Sequence, residues 1–314
     1  MTEVIEGVHR IEAEVGGRPL YLFLFLGERR LLLDAGCASS VEQFVLPCLD
    51  GLGLSAADLD LLVITHCDLD HQGGTHALRQ LNPQLLVTCG ELDVELVSDP
   101  DVLVERRYGA FRAEHGIGYD DETLGWIRGE SGEPEPVDIG CVGGERLRLG
   151  DGWELRVLHA PGHSAGHLAV LDERSGVLFS GDCLQGSVYL GLDGSRKLCP
   201  TYTDVDPYLA TAALVESLAP TEVHGCHWPA QDPSAFVAES RDYAERLDAL
   251  VRASLTEPAT LRELLARVNE QLDEPWPPAL EQELVYSVHG HVERLVQRGL
   301  AAGEGRPVVY RSAS

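Results

Sequence analysis

Basic residues are scarce in this chain of 314: 24 Lys and Arg stand against 51 Asp and Glu, a formal charge of −27. Phosphate backbones repel such a surface, so nucleic-acid binding is disfavoured. Strong acidity suits solubility and a small or neutral substrate. No run of about 18 apolar residues occurs, so no membrane span is expected. The first residues, Met1-Thr2-Glu3-Val4-Ile5-Glu6, lack a basic segment followed by an apolar one, so no secretory signal is expected. A soluble, cytoplasmic protein is the default. The 8 cysteines form no Cys-x-x-Cys pair, which argues against a zinc ribbon or thioredoxin-type chemistry. They read as buried thiols. No internal repeat and no low-complexity tract is visible, and a covalent serine route has little support.

What the chain does have is concentrated in one stretch, Ile64-Thr65-His66-Cys67-Asp68-Leu69-Asp70-His71-Gln72-Gly73-Gly74. The apolar run Leu61 to Ile64 reads as a buried strand, and the Gly pair as a tight exit into a helix. Neutral imidazoles and carboxylates are ligands for metals of the zinc, iron and manganese group. Side chains at 66, 68, 70 and 71 cannot all converge on one ion in so short a loop. They can serve two adjacent ions, with His66 and Asp68 on one and Asp70 and His71 on the other.

In chain order, Leu20–Leu26 and Leu31–Leu33 read as a hairpin ending at Asp34. A helix to about Leu52, the strand at 61–64, a helix at 72–81 and a strand at 84–88 follow, which suggests an α/β layered fold. Residues 91–136 are rich in Glu, Asp, Arg and Gly with scattered aromatics, and read as a helical cap inserted over the site. Four strands lie between Glu145 and Ser180. Helices are expected at 206–218 and 234–253, with a short strand at 222–224. Polar groups recur at strand ends: Gly162-His163, Gly181-Asp182 and His227. From 256 to 314 two helices and a hairpin suggest a winged-helix-like module after a catalytic domain of residues 1–255. That module reads as a dimerisation element or a wall of the site entrance, because Glu281, Glu283 and Glu293 dilute any basic helix face.

These blocks together resemble the metallo-β-lactamase superfamily over roughly residues 5–250. The carrying residues are Asp34, Thr65, the His66–His71 cluster with its Gly pair, Gly162-His163, Gly181-Asp182 and His227. The resemblance implies an αββα sandwich of class α/β. It also implies two divalent metal ions, zinc first, with iron or manganese as alternatives. Carried over, His66, Asp68 and His163 would hold one ion, Asp70, His71 and His227 the other, and Asp182 would bridge them. The family usually has His-x-His-x-Asp-His; Asp68 replaces the second histidine here. An extra carboxylate hardens the site toward manganese or iron. Asp34 would orient a ligand from behind. His76, His167 and His224 are expected to be structural, and His289 and His291 to lie away from the metals.

The implied reaction is hydrolysis of an ester-type bond in a small molecule, such as a thioester or lactone. Two ions about 3.5–4 Å apart would make a shared water nucleophilic, and Asp70 would orient it and carry a proton. Tyr189, Lys197 and Tyr202 follow the bridging Asp182 and are expected to bind substrate. Three other classes remain open. Phosphodiester or RNA cleavage is favoured by the tail and opposed by the charge. Iron-dependent redox or oxygenase chemistry is a second. A non-catalytic binding module is a third, disfavoured because all seven ligand positions hold competent side chains.

Overall fold

The computed structural model describes residues 1–313. Two sheets stack face to face. The first orders Thr2–Ile5, Val8–Val15, Arg18–Leu26, Arg30–Leu33, Leu61–Val63, Leu86–Gly90 and Ile139–Cys141. Its pairing is antiparallel as far as Arg30–Leu33 and parallel beyond. The change follows from the connections: parallel neighbours need a crossover, supplied here by helices Leu46–Gly51 and Thr75–Leu81. The second sheet orders Glu222–Gly225, Val177–Gly181, Leu168–Asp172, Trp153–His159 and Arg146–Gly150.

Period-two alternation decides which side chains meet between the sheets. Phe23, Phe25, Leu31, Leu33 and Val63 pack against Leu155, Val170, Val177 and Phe179. The Phe179 ring sits edge-on to Phe23 at 4.8 Å and to Phe25 at 4.9 Å. Leu22, Leu24, Leu32 and Leu62 belong to the core on the other face, beneath Val41, Val45, Leu49 and Leu78. Helices Val205–Leu218 and Pro233–Ser254 cover the outer face of the second sheet through Ala212, Val215, Phe236 and Val237. The architecture is the expected α/β sandwich with helices outside both sheets. Strand Val8–Val15, whose inward residues are Val8, Ile11, Ala13 and Val15, extends the expected hairpin by one partner. No helix is long and apolar enough to cross a membrane among the described residues.

The insertion, read as helical pieces at about 91–98, 102–115 and 120–128, is broken further in the middle piece. It forms Val94–Ser98, Pro100–Leu103, Arg112–His115 and Asp121–Glu130, interrupted at Gly109 and at Gly116, which adopts a φ of +64°. Beyond residue 255, helices Leu261–Glu270 and Val285–Gln297 pack on a three-stranded sheet of Ala259–Thr260, Val309–Ser312 and Ala301–Glu304. The core does not stop at 255. Leu247, Val251 and Leu255 share one cluster with Leu261, Leu264 and Val288, and with Phe111 and Ile117 of the insertion.

His289 stands at that junction, its ring 5.0 Å from Phe111 and 5.3 Å from His115. Burial, then repulsion from His115, lowers it from 6.5 to about 4. A folded-state value below the unfolded one means that acid favours the unfolded chain. The contribution is complete above pH 6.5 and falls away toward pH 4, by about 3 kcal/mol there. His289→Leu should therefore flatten the loss of stability between pH 6.5 and 4 in urea unfolding. A profile parallel to that of the parent chain would contradict this account of the junction.

Candidate metal centre

Every polar group named from the sequence as a ligand or ligand support sits where a strand of the stacked sheets ends, on backbone held by the sheet. Asp34 follows Arg30–Leu33 with a φ of +62°, a conformation that Asp tolerates better than most residues. His66 to His71 follow Leu61–Val63. Gly162 precedes His163 with a φ of +134°, and a Cβ there would lie 2.5 Å from the Tyr208 backbone. Only glycine lets the turn approach the helix so closely.

Three imidazoles are anchored alike. Asp34, fully buried, accepts from the Thr65 backbone (2.7 Å), the Thr65 hydroxyl (2.9 Å) and His71 Nδ1 (2.9 Å). With its proton given to Asp34, the Thr65 oxygen accepts from His66 Nδ1 at 3.0 Å. His227 Nδ1 donates to the Pro19 carbonyl at 2.8 Å. In each ring Nδ1 is the nitrogen that meets an oxygen acceptor, which turns Nε2 inward toward the other donors. His71 Nε2 is 3.8 Å from Asp70, and His227 Nε2 is 3.3 Å from Asp70 and 3.5 Å from Asp182.

The donor chemistry fits a divalent metal. His66 Nε2, His71 Nε2 and Asp182 Oδ1 are buried with no hydrogen-bond partner among the described residues. Such orphaned atoms are rare in folded proteins. His66, His71 and Asp182 offer ligand atoms within 4.8 Å of one another, as do Asp70, His71 and His227, and His66, Asp68 and His163. Burial, with repulsion from His71, holds the His66 imidazole well below its ordinary value, in the neutral form that ligates. Burial pushes the Asp70 carboxyl up, but the His71 and His227 rings more than offset it and keep it ionised. Asp34→Asn should weaken metal binding about 10–100-fold, the usual cost of losing a group behind a ligand. A competing chromophoric chelator measures this, and unchanged affinity would contradict the anchoring role.

Asp68 is placed differently. Arg107, 8% exposed, forks onto it, with Nε 2.8 Å from Oδ1 and Nη2 3.1 Å from Oδ2. Burial alone would raise Asp68; the guanidinium and His163 bring it well below the carboxylate range. Arg107 Nη1 also donates to the His163 carbonyl (3.1 Å), and Tyr286 stacks 5.0 Å beneath the guanidinium. The charge that Asp68 adds is thus balanced by Arg107. The sequence reading missed Arg107. A signal was available, since an extra buried carboxylate calls for a cation, but several Arg residues of the insertion fit that need equally.

A cavity of about 220 Å³ opens onto Asp70, Asp182 and His227. The insertion supplies Tyr108, Tyr119 and Trp126 to its walls, and the C-terminal region supplies Glu283 and Tyr286. Tyr119 ties these together, donating to Glu283 at 2.8 Å. Of the residues expected to bind substrate, Tyr189 lines the cavity and donates to Asp182 Oδ2 at 3.0 Å. The other two do not line it. Lys197 turns outward, 3.6 Å from Asp193, and fully buried Tyr202 stacks on Tyr208 and bonds His291 at 2.9 Å. Both were expected from position alone; their side chains follow packing, which position does not report. His167 accepts from the Asp182 backbone (3.0 Å), His76 pairs with Glu135 and His224 with Glu222, as structural histidines do. Gly162-His163-Ser164-Ala165-Gly166 spells the Gly-x-Ser-x-Gly pattern of serine hydrolases. It links two strands, not a strand and a helix, and Ser164 donates to Asp93, so it lends a serine route no support. All 8 cysteines are free and buried.

Comparison with known proteins bears on the fold. The family model for the metallo-beta-lactamase superfamily matches residues 16–226, about two thirds of the chain. A solved metallo-beta-lactamase family protein of Thermus thermophilus is similar over 99% of this chain and 100% of its own, with a TM-score of 0.80 at 21% identity. Beta-lactamase-like protein 2 homolog of Drosophila melanogaster is 27% identical over 58% of this chain and 53% of its own length. Hydroxyacylglutathione hydrolase of Halorhodospira halophila is 34% identical over 41% of this chain and 51% of its own. The chain thus spans about half the length of these curated relatives. With the family match covering the strands and most of the turns that carry the site, the chain belongs to the metallo-β-lactamase superfamily.

Proposed function

We propose that this chain is a metal-dependent hydrolase of small ester-type substrates, thioesters foremost, with lactones and other activated esters next. One observation carries the reading: His66 Nε2, His71 Nε2 and Asp182 Oδ1 are orphaned, buried and gathered beneath a cavity walled by aromatic rings. Zinc suits so imidazole-rich a set best; the trios His66–His71–Asp182 and Asp70–His71–His227 are the candidate holders. When bound, the ion supplies Lewis acidity, making a water more acidic and a carbonyl more electron-poor.

The chain's own residues do the rest. Asp70, 7% exposed at the cavity floor and held ionised, accepts a hydrogen bond from the attacking water and takes up its proton. The bond from water oxygen to carbonyl carbon forms, the carbon–sulfur bond breaks, and the proton held at Asp70 passes to the departing sulfur. Tyr189 keeps Asp182 turned toward the centre through its 3.0 Å hydrogen bond. Tyr108, Tyr119 and Trp126 exclude bulk water and receive the apolar part of the acyl group. The relative from Halorhodospira halophila supports the thioester assignment, because it is named for hydrolysing hydroxyacylglutathione, a thioester. Charge supports a substrate other than RNA.

A panel of thioesters, lactones and phosphodiesters tests this. Thioester hydrolysis that a chelator abolishes is expected. Turnover of phosphodiesters with none on either ester class would overturn it. The two-ion arrangement implied by the resemblance needs the His66–Asp68–His163 group as well as the Asp70–His71–His227 group, and the two are built differently.

A further inference from the structure

We propose that the centre holds one metal ion and that the place of the other is taken by an internal ion pair, Arg107 with Asp68, to which His163 donates. The proposal rests on the reading of this centre as a metal site. What separates the two places is which ring nitrogen of each histidine carries the proton. His66, His71 and His227 each face an oxygen acceptor with Nδ1, so Nε2 is free to ligate. His163 does not. Its Nδ1 faces the side-chain nitrogen of Gln185 at 2.9 Å.

The orientation of that amide is settled by its other end. The Gln185 oxygen accepts from the backbone N–H of Thr201 (2.9 Å) and of Tyr202 (3.1 Å), so the nitrogen must be the atom turned toward His163. That nitrogen also donates to Tyr189 at 2.7 Å, and Tyr189 in turn donates to Asp182. An amide nitrogen only donates, so His163 Nδ1 must accept. The ring proton then sits on Nε2, the atom that would otherwise ligate, and it points at Asp68 Oδ2, 3.0 Å away. Reversing the tautomer requires turning the Gln185 amide, which would strip two buried backbone donors of their acceptor.

Arg107 closes the same position from the other side. It occupies both oxygens of Asp68, and its Nη2 stands 3.4 Å from His163 Nε2. A cation bound there would face a like charge at contact distance. The two features are independent of each other and agree. Arg107 and Gln185 are positioning residues in this scheme: Arg107 balances the Asp68 charge, and together they fix Asp68 and His163 as a hydrogen-bonded unit beside the ion.

Zinc bound per chain, measured by elemental analysis and calorimetric titration, tests this without reference to turnover. The parent protein should bind one equivalent tightly, and His163→Ala should keep that equivalent with affinity within threefold. Arg107→Met combined with Gln185→Glu, which offers Nδ1 an acceptor and removes the competing cation, should admit a second equivalent. In the zinc-loaded parent protein, the imidazole nitrogen spectrum should show His163 protonated at Nε2, which is readable even if the double variant does not fold. Two equivalents in the parent protein, or loss of the single equivalent in His163→Ala, would overturn the proposal. No bound zinc at all would overturn the metal-centred reading with it.

Discussion

His71→Ala is expected to remove metal binding and to lower metal-dependent turnover by roughly 10³-fold or more. The magnitude follows from what is lost. Several kcal/mol of charge stabilisation depend on a catalytic ion, and each 1.36 kcal/mol is tenfold in rate, so about 4 kcal/mol gives 10³. His71 is the choice because two inward-facing donor groups share it, His66–His71–Asp182 and Asp70–His71–His227. Its removal also leaves Asp34 with one donor fewer in a fully buried site, so some loss of stability accompanies the loss of metal. Elemental analysis separates the two effects: a folded variant without metal and without turnover is the expected result. A folded variant that keeps both metal and rate would remove His71 from the centre.

Arg107→Met is expected to cost about 3 kcal/mol of stability in metal-free buffer. Breaking a buried ion pair by removing one partner costs about 3–5 kcal/mol, because the remaining charge is left without compensation. The low end applies, since the Asp68 side chain keeps 15% of its exposure and can draw in water. His163 still donates to it but brings no formal charge in the neutral form. Removing both charges with Arg107→Met and Asp68→Asn should restore much of the difference, and the coupling between the two changes is the informative quantity. The pH dependence has a definite sign. Asp68 is held below its unfolded value, so its contribution is complete above about pH 4 and is lost as acid protonates it. Arg107→Met should lose that acid-sensitive part. Urea unfolding of the single and double variants measures this; a single variant within about 0.5 kcal/mol of the parent, the range of surface changes, would show the pair to be inconsequential.

What could be read from the chain alone follows the range of the physics involved. Apolar runs, glycine punctuation and a carboxylate at a strand end are local signals, so Asp34, the His66–His71 cluster, Gly162-His163, Asp182 and His227 were legible as polar groups at strand ends; the sandwich that gathers them was implied by the resemblance. Asp34 was legible as a carboxylate after Arg30–Leu33; its hydrogen bonds to Thr65 and His71 required the fold. Arg107 was not legible, because its meaning lies in a partner 39 positions away across an irregular insertion. Gln185 was not legible either: an amide in a loop has no pattern, and its role depends on which end meets the Thr201 and Tyr202 backbone. That Lys197 and Tyr202 lie off the cavity was not legible for a related reason. Tyr202 is drawn into a core shared with His291, 89 positions on, and no local period announces that. The tail's role as a cavity wall came from the charges that disfavoured nucleic acid; that Glu283 and Tyr286 are the residues that reach the cavity required the fold.

Everything above depends on buried nitrogen and oxygen donors, brought together from distant strand ends, activating water through a bound ion. Thioester hydrolysis followed through dialysis against a chelator and re-addition of zinc reads that dependence most directly. Activity should disappear as the metal leaves and return with it, and His71→Ala should not recover. Hydrolysis that continues unchanged in metal-free protein would contradict it.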